Sequence, residues 1–161
     1  MGNRFFQLAY LWAQYREGKI PDIYLQDYRY FDFYRDEIRE MFKQVGEPID
    51  AISIHIRKGK NPSRPEEPAY NENPFYAHLT DDYYEKAKAL FPNKQFMVFD
   101  DVSGKDELED FSKMTRCKGH IIANSSYSFW AAYIGGGKTV APSQWFSNGT
   151  RIPYPEDWIV I

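Results

Sequence analysis

Ala51-Ile52-Ser53-Ile54-His55-Ile56 is a short run built on β-branched isoleucines, and the sequence changes character there. Apolar residues at alternate positions predict a strand. Downstream, Thr80 stands where a helix N-cap belongs. Asp81 and Asp82 complement the positive helix start, and Tyr83, Ala87 and Leu90 form an inner face before Pro92 stops the helix. Gln95 to Phe99 reads as a second strand. Ser103-Gly104-Lys105-Asp106 has capping-box spacing, with Asp in place of Glu, ahead of a helix whose inner face is Leu108, Phe111 and Met114. His120 to Ala123 reads as a third strand. Ser125 or Ser126 then caps a helix with Phe129, Ala132 and Tyr133, closed by Gly135-Gly136-Gly137, and Thr139 to Ala141 is a fourth strand. The order βαβαβαβ predicts an α/β fold, a small parallel sheet with flanking helices.

Upstream of the run the pattern is helical. Arg4 to Glu17 places Phe5, Ala9, Trp12 and Ala13 at helical spacing before Gly18. Asp36 to Val45 repeats this with Ile38, Met41, Phe42 and Val45, ending at Gly46 and Pro48. Between them, Tyr24 to Tyr34 is crowded with aromatics that alternate poorly, and it fits a short strand or an extended segment lying on the core. Lys60 to Pro74, rich in Pro, Glu and Asn, reads as a surface loop.

With 161 residues, 43% of them hydrophobic, the chain is long enough to bury one core without disulfide or metal staples. Cys117 is the single cysteine, so no internal disulfide forms, and a small buried thiol is its expected role. A net charge of -3 argues against nucleic acid or an anionic membrane as partner, since both call for a large positive field. No apolar run reaches membrane-spanning length, and Met1-Gly2-Asn3-Arg4 opens no secretory signal, so the expectation is a soluble, cytoplasmic protein. One cysteine and three scattered histidines match no zinc pattern.

In a sheet of this kind ligands sit beyond the carboxyl ends of the strands. Three strand ends carry polar clusters: Arg57-Lys58-Gly59-Lys60, Asp100-Asp101 and Asn124-Ser125-Ser126. Alternation puts His55 and Arg57 on one strand face, and a forked guanidinium at that place suits a diphosphate. It would equally suit an internal ion pair, with His55 in a buried hydrogen bond. Ser125 and Ser126 offer a phosphate the N–H groups of a helix start, or simply cap that helix. Asp100 and Asp101 could accept hydrogen bonds from a ribose or a purine, or form a solvated turn.

These clusters fall in a longer pattern. His120-Ile121-Ile122-Ala123-Asn124-Ser125-Ser126-Tyr127-Ser128-Phe129-Trp130-Ala131-Ala132-Tyr133, with Val140-Ala141-Pro142 and Trp145-Phe146, resembles the C-terminal signature of the α-1,2-fucosyltransferases of glycosyltransferase family 11. His55-Ile56-Arg57-Lys58-Gly59 is similar to the family's His-x-Arg-Arg-Gly-Asp motif, and Phe99-Asp100-Asp101 to its Phe-Ser-Asp-Asp segment. Gly2-Asn3, Phe6-Gln7 and Pro153-Tyr154-Pro155-Glu156-Asp157-Trp158 extend the likeness to both ends. Lys58 replaces the second Arg, Lys60 stands where Asp is usual, and the stretch between Gly2-Asn3 and Ile20 is contracted.

The resemblance implies the Rossmann-like donor-binding half of a GT-B type glycosyltransferase, residues 49–161, joined to a reduced helical N-terminal segment on the acceptor side, residues 1–48. It implies inverting transfer of L-fucose from GDP-fucose to a galactoside hydroxyl, with no essential metal or other cofactor. A non-catalytic module that binds GDP-fucose or a glycan is the alternative. Arg57 would be the catalytic residue, gripping the diphosphate. The donor-binding set would be His55, Arg57, Lys58, Asp100, Asp101, Asn124, Ser125 and Ser126, with His55 and Asp101 near guanine and Ser125 or Ser126 near the phosphates. GDP-fucose and a glycan acceptor are the implied partners, and a second copy or a partner chain would complete the acceptor cleft. Eukaryotic homologues are Golgi-bound, which is the alternative location.

Overall fold

The structure, a computed structural model, describes residues 2–17, 27–60, 66–100 and 106–161. Helix α1 (Gly2–Arg16) is followed by two 3-10 turns, Tyr28–Tyr30 and Asp32–Tyr34, and by α2 (Arg35–Phe42). Strand β1 (Ile49–Ile56) opens the alternation, continued by α3 (Asp81–Ala89), β2 (Phe96–Asp100), α4 (Glu107–Arg116), β3 (Cys117–Ile121), α5 (Ser126–Gly135), β4 (Lys138–Ala141) and β5 (Ile159–Val160). The five strands form one sheet in the order β2-β1-β3-β4-β5, every pair parallel. This is the expected α/β architecture with one more strand. Among the described residues no helix is long and apolar enough to cross a membrane.

The alternation in β1 serves two cores. Ile52 and Ile54 pack with Tyr83, Tyr84 and Ala87 of α3 on one side. On the other, α5 lies at the centre of a larger cluster, and its side chains from Ser128 to Ile134 are all buried. Trp130, with no exposed surface, has the rings of Phe5, Phe6, Phe31 and Tyr133 at centroid distances of 5.6, 5.0, 5.2 and 5.4 Å. Phe6, Ala9, Ala13 and Ile38 join the same core from α1 and α2. Helices this short hold their shape in water chiefly because such a face is buried.

Several elements differ from the sequence reading. Helix α2 ends at Phe42, so Val45 lies beyond it and is exposed, and Met41, within the helix, is exposed as well. In α4, Phe111 and Met114 are buried but Leu108 is exposed. That helix starts at Glu107, and Asp106 is itself the N-cap, its carboxylate accepting from the Leu108 N–H at 2.9 Å; Ser103 lies outside the described residues, as does Gly18. The part of the Tyr24–Tyr34 segment that is described, from Asp27 on, forms 3-10 turns and no strand. Asp27 closes the first turn by accepting from the Arg29 N–H. Strand β3 begins three residues earlier than expected, directly after α4, because Gly119 lets the strands close up: a Cβ there would sit 2.9 Å from the Lys138 carbonyl and 3.0 Å from Ile52. The glycines after α5 close it as expected, Gly136 and Gly137 taking φ values of 71° and 80° that other residues rarely adopt.

Candidate functional site

Strand β1 runs between β2 and β3, so the carboxyl ends of these three strands lie side by side. The topology thus collects the three polar clusters at one edge of the sheet. Arg57 and Lys58 follow β1, Asp100 ends β2 opposite Ile56, and Asn124 to Ser126 lead from β3 into α5.

Arg57 is held by neutral groups. Its Nη1 donates to the backbone carbonyl of Asn124 at 2.7 Å, and its guanidinium carbon lies 3.4 Å from the centroid of the Tyr70 ring and 4.6 Å from that of Tyr76. Among the described residues no carboxylate pairs with it, so the internal ion pair that the sequence left open is replaced by aromatic stacking. Such stacking contributes roughly 0.5–2 kcal/mol and uses the flat face of the cation, leaving the N–H donors at its edge to a ligand in the plane.

The tyrosines are placed by a stitched loop. The Tyr70 N–H donates to the Gly59 carbonyl at 2.9 Å, tying the loop to the turn after β1. Asn124, 4% exposed, donates both amide hydrogens, to the carbonyls of Ala77 at 2.8 Å and Trp145 at 2.9 Å. Tyr76 forms an isolated antiparallel bridge with Phe146. These links border a small cleft lined by Arg57, Lys58, Tyr70, Tyr76, His78 and Asn124 among others. The side chain of Asn124 is thus committed to holding two loops, while its backbone carbonyl receives Arg57.

Of the other described candidates, His55, Asp100, Ser125 and Ser126 do not line this cleft. His55, 2% exposed, is inside the sheet layer with its ring centroid 5.5 Å from that of Tyr127, and its backbone carbonyl accepts from the Tyr84 hydroxyl at 3.2 Å. Strand β1 ends at Ile56, so alternation does not carry on to Arg57 and the two side chains part company. Asp100 is half-buried, and Asp101 lies outside the described residues. Ser125 is the N-cap of α5 with extended backbone, but its side chain makes no capping hydrogen bond; Ser126 is the first helical residue. The N-terminus of α5 and the exposed Lys58 add positive potential beside Arg57. Tyr70, Tyr76 and His78 carry no periodic signal in the sequence, and only their closeness to the Arg57 motif along the chain could have marked them.

Two buried groups lie away from the cleft. Burial lowers the pKa of His120 to about 4, and its Nδ1 is 2.8 Å from the Ser53 hydroxyl. Burial likewise raises the Cys117 thiol to about 11, which makes it inert at neutral pH, as its expected packing role requires. Among the described residues no three His, Cys, Asp or Glu side chains converge as a metal site.

Comparison with known proteins points the same way as the motifs. Residues 93–159 match the model of glycosyl transferase family 11. The chain is 28% identical to an alpha-1,2-colitosyltransferase of Escherichia coli, over 84% of this chain and 60% of that protein. It is also 28% identical to the O-antigen biosynthesis glycosyltransferase WbnK of Escherichia coli, over 91% of this chain and 62% of the relative. The chain therefore spans about six tenths of the length of these curated relatives. No solved structure gives a significant match.

Proposed function

On the premise that this chain carries a glycosyl transferase family 11 region, residues 93–159, we propose that it moves L-fucose from GDP-fucose to a hydroxyl of a galactoside-type glycan, with inversion and without a metal. The observation that carries the reading is Arg57. It stands at the carboxyl end of β1, between β2 and β3, fixed by Tyr70, Tyr76 and the Asn124 carbonyl, with no acidic partner among the described residues. Lys58 and the start of α5 lie on either side.

A diphosphate is the anion that suits this arrangement, because a planar cation and a helix N-terminus together match its oxygens. In the transfer, the acceptor oxygen forms a bond to the anomeric carbon as the bond from that carbon to the β-phosphate oxygen breaks. GDP leaves with the electron pair, and the hydroxyl proton passes to a base. Negative charge grows on the leaving diphosphate, where Arg57 stabilises it in a site arranged in advance. His55, Asp100, Asp101, Ser125 and Ser126 complete the donor site in this reading. The relative named for colitosyl transfer favours a second donor sugar in the same site.

The test is turnover of GDP-fucose and of the corresponding colitosyl donor with a lactose-type acceptor. Wild-type release of GDP, lowered about 10²-fold or more in Arg57→Ala, is expected. Donor binding without turnover would make the chain a nucleotide-sugar-binding module, and no binding would remove both readings.

A further inference from the structure

The loop that carries Tyr70 and Tyr76 also presents an aromatic ring to water. Phe75 is 59% exposed and belongs to neither core. Its position is nonetheless fixed. The Phe75 N–H donates to the Asn73 side-chain oxygen at 3.0 Å, and its carbonyl accepts from the Ser147 N–H at 3.1 Å, while the Ser147 hydroxyl donates to the neighbouring Pro74 carbonyl at 2.5 Å. The ring stands 4.9 Å from Phe146 and 5.3 Å from Tyr76, centroid to centroid. Tyr76 is also the neighbour of Arg57, so Phe75 stands one ring away from the cation, just outside the residues that line the cleft.

Two hydrogen bonds fix the backbone at Phe75, and Phe146 and Tyr76 pack against its ring, so the outer face of the ring is presented to water in a set position. A protein partner needs on the order of 1,200 Å² or more of total buried surface, far beyond what one exposed ring and its neighbours supply. A pyranose fits better. One face of the sugar is a patch of C–H bonds that lies on an aromatic ring, and its hydroxyls form the rim. A ring already fixed in place loses little conformational entropy on binding. Asn71 and His78, exposed along the same cleft, offer partners for the hydroxyls.

We infer that Phe75, backed by Tyr76 and Phe146, is a pyranose-stacking subsite at the rim of the Arg57 cleft. The inference rests on the donor reading above for the reason a sugar comes there. The sugar belongs either to the donor or to the acceptor, and separate probes distinguish them. Binding of methyl α-L-fucoside and of methyl β-D-galactoside to the full chain is followed by saturation-transfer NMR in wild type, Phe75→Leu and Phe75→Trp, with GDP titrated in parallel.

Leucine keeps an apolar side chain at the position and removes the flat face, so the fold is retained. Affinity for one of the two sugars is expected to fall about fivefold to tenfold in Phe75→Leu and to be kept in Phe75→Trp, with GDP binding equal in all three proteins. Loss confined to the fucoside assigns the subsite to the donor, and loss confined to the galactoside assigns it to the acceptor. Wild type and Phe75→Leu binding both sugars alike, or wild type binding neither, would overturn the inference. Failure of wild type to bind GDP would instead count against the donor reading, with the sugar result still readable.

Discussion

Between pH 6.5 and pH 4, His120 should make this fold sensitive to acid. The imidazole has no exposed surface and lies between β1 and the end of α5, its Nδ1 2.8 Å from the Ser53 hydroxyl. Burial is the main reason its pKa falls from 6.5 to about 4, with the positive charge of Arg39 adding to it and the Gly136 backbone opposing it. In the unfolded chain the imidazole titrates near 6.5, so below that pH the unfolded state binds a proton that the native state refuses. The stabilising difference is complete above pH 6.5 and is lost as the pH falls from 6.5 to 4. The shift corresponds to ~3 kcal/mol at the acid end of this window. Urea unfolding followed by tryptophan fluorescence, in steps from pH 7.5 to pH 4.5, measures it against His120→Gln. The variant starts less stable, because the hydrogen bond to Ser53 and the packing are disturbed, but its loss with acid should be smaller by a few kcal/mol. Parallel curves for the two proteins would refute the reasoning.

Three further outcomes follow from the packing and the loop geometry. Asn124→Ala leaves the carbonyls of Ala77 and Trp145 without their shared donor, so it should cost about 2 kcal/mol and speed amide exchange in residues 70–77, read by hydrogen-exchange mass spectrometry. Trp130→Ala empties the centre of the aromatic core and should cost about 3–5 kcal/mol in chemical denaturation, whereas Trp130→Phe, which keeps a ring there, should cost less. Cys117, buried with its pKa raised to about 11, should react slowly with a thiol reagent at pH 8 in the native protein and quickly once urea unfolds it.

The elements legible in the sequence are those whose own side chains decide them. The isoleucine run of β1 and the inner face Tyr83-Ala87 of α3 each face a core, so the burial that selects the structure also writes the pattern. What could not be read depends on partners distant in sequence. Strand β5 is two residues long and exists because Ile159 and Val160 pair with β4, an arrangement invisible in Ile159-Val160-Ile161 alone. Strand β3 hides behind Lys118 and Gly119, poor strand formers tolerated because the neighbouring strand needs the space. Met41, Val45 and Leu108 match helical spacing but lie where no partner element covers them.

The site divides in the same way. The place of Arg57 at a strand end was legible, and the ends of β2, β1 and β3 come together because β1 stands between the other two. Its environment was not, since whether it pairs with an acid or stacks on tyrosines depends on a loop with no periodicity. That loop is positioned by the Gly59 carbonyl and the Asn124 amide. The side-chain amide of Asn124, a member of the expected donor-binding set, joins two loops behind the cation.

The most direct test is calorimetric titration of GDP into the wild-type chain and Arg57→Ala in metal-free buffer, with both proteins first shown to be folded by circular dichroism. Micromolar binding by wild type that is lost in Arg57→Ala is the expected result. Equal binding by the two proteins, or none by a folded wild type, would contradict the assignment of Arg57 to the diphosphate.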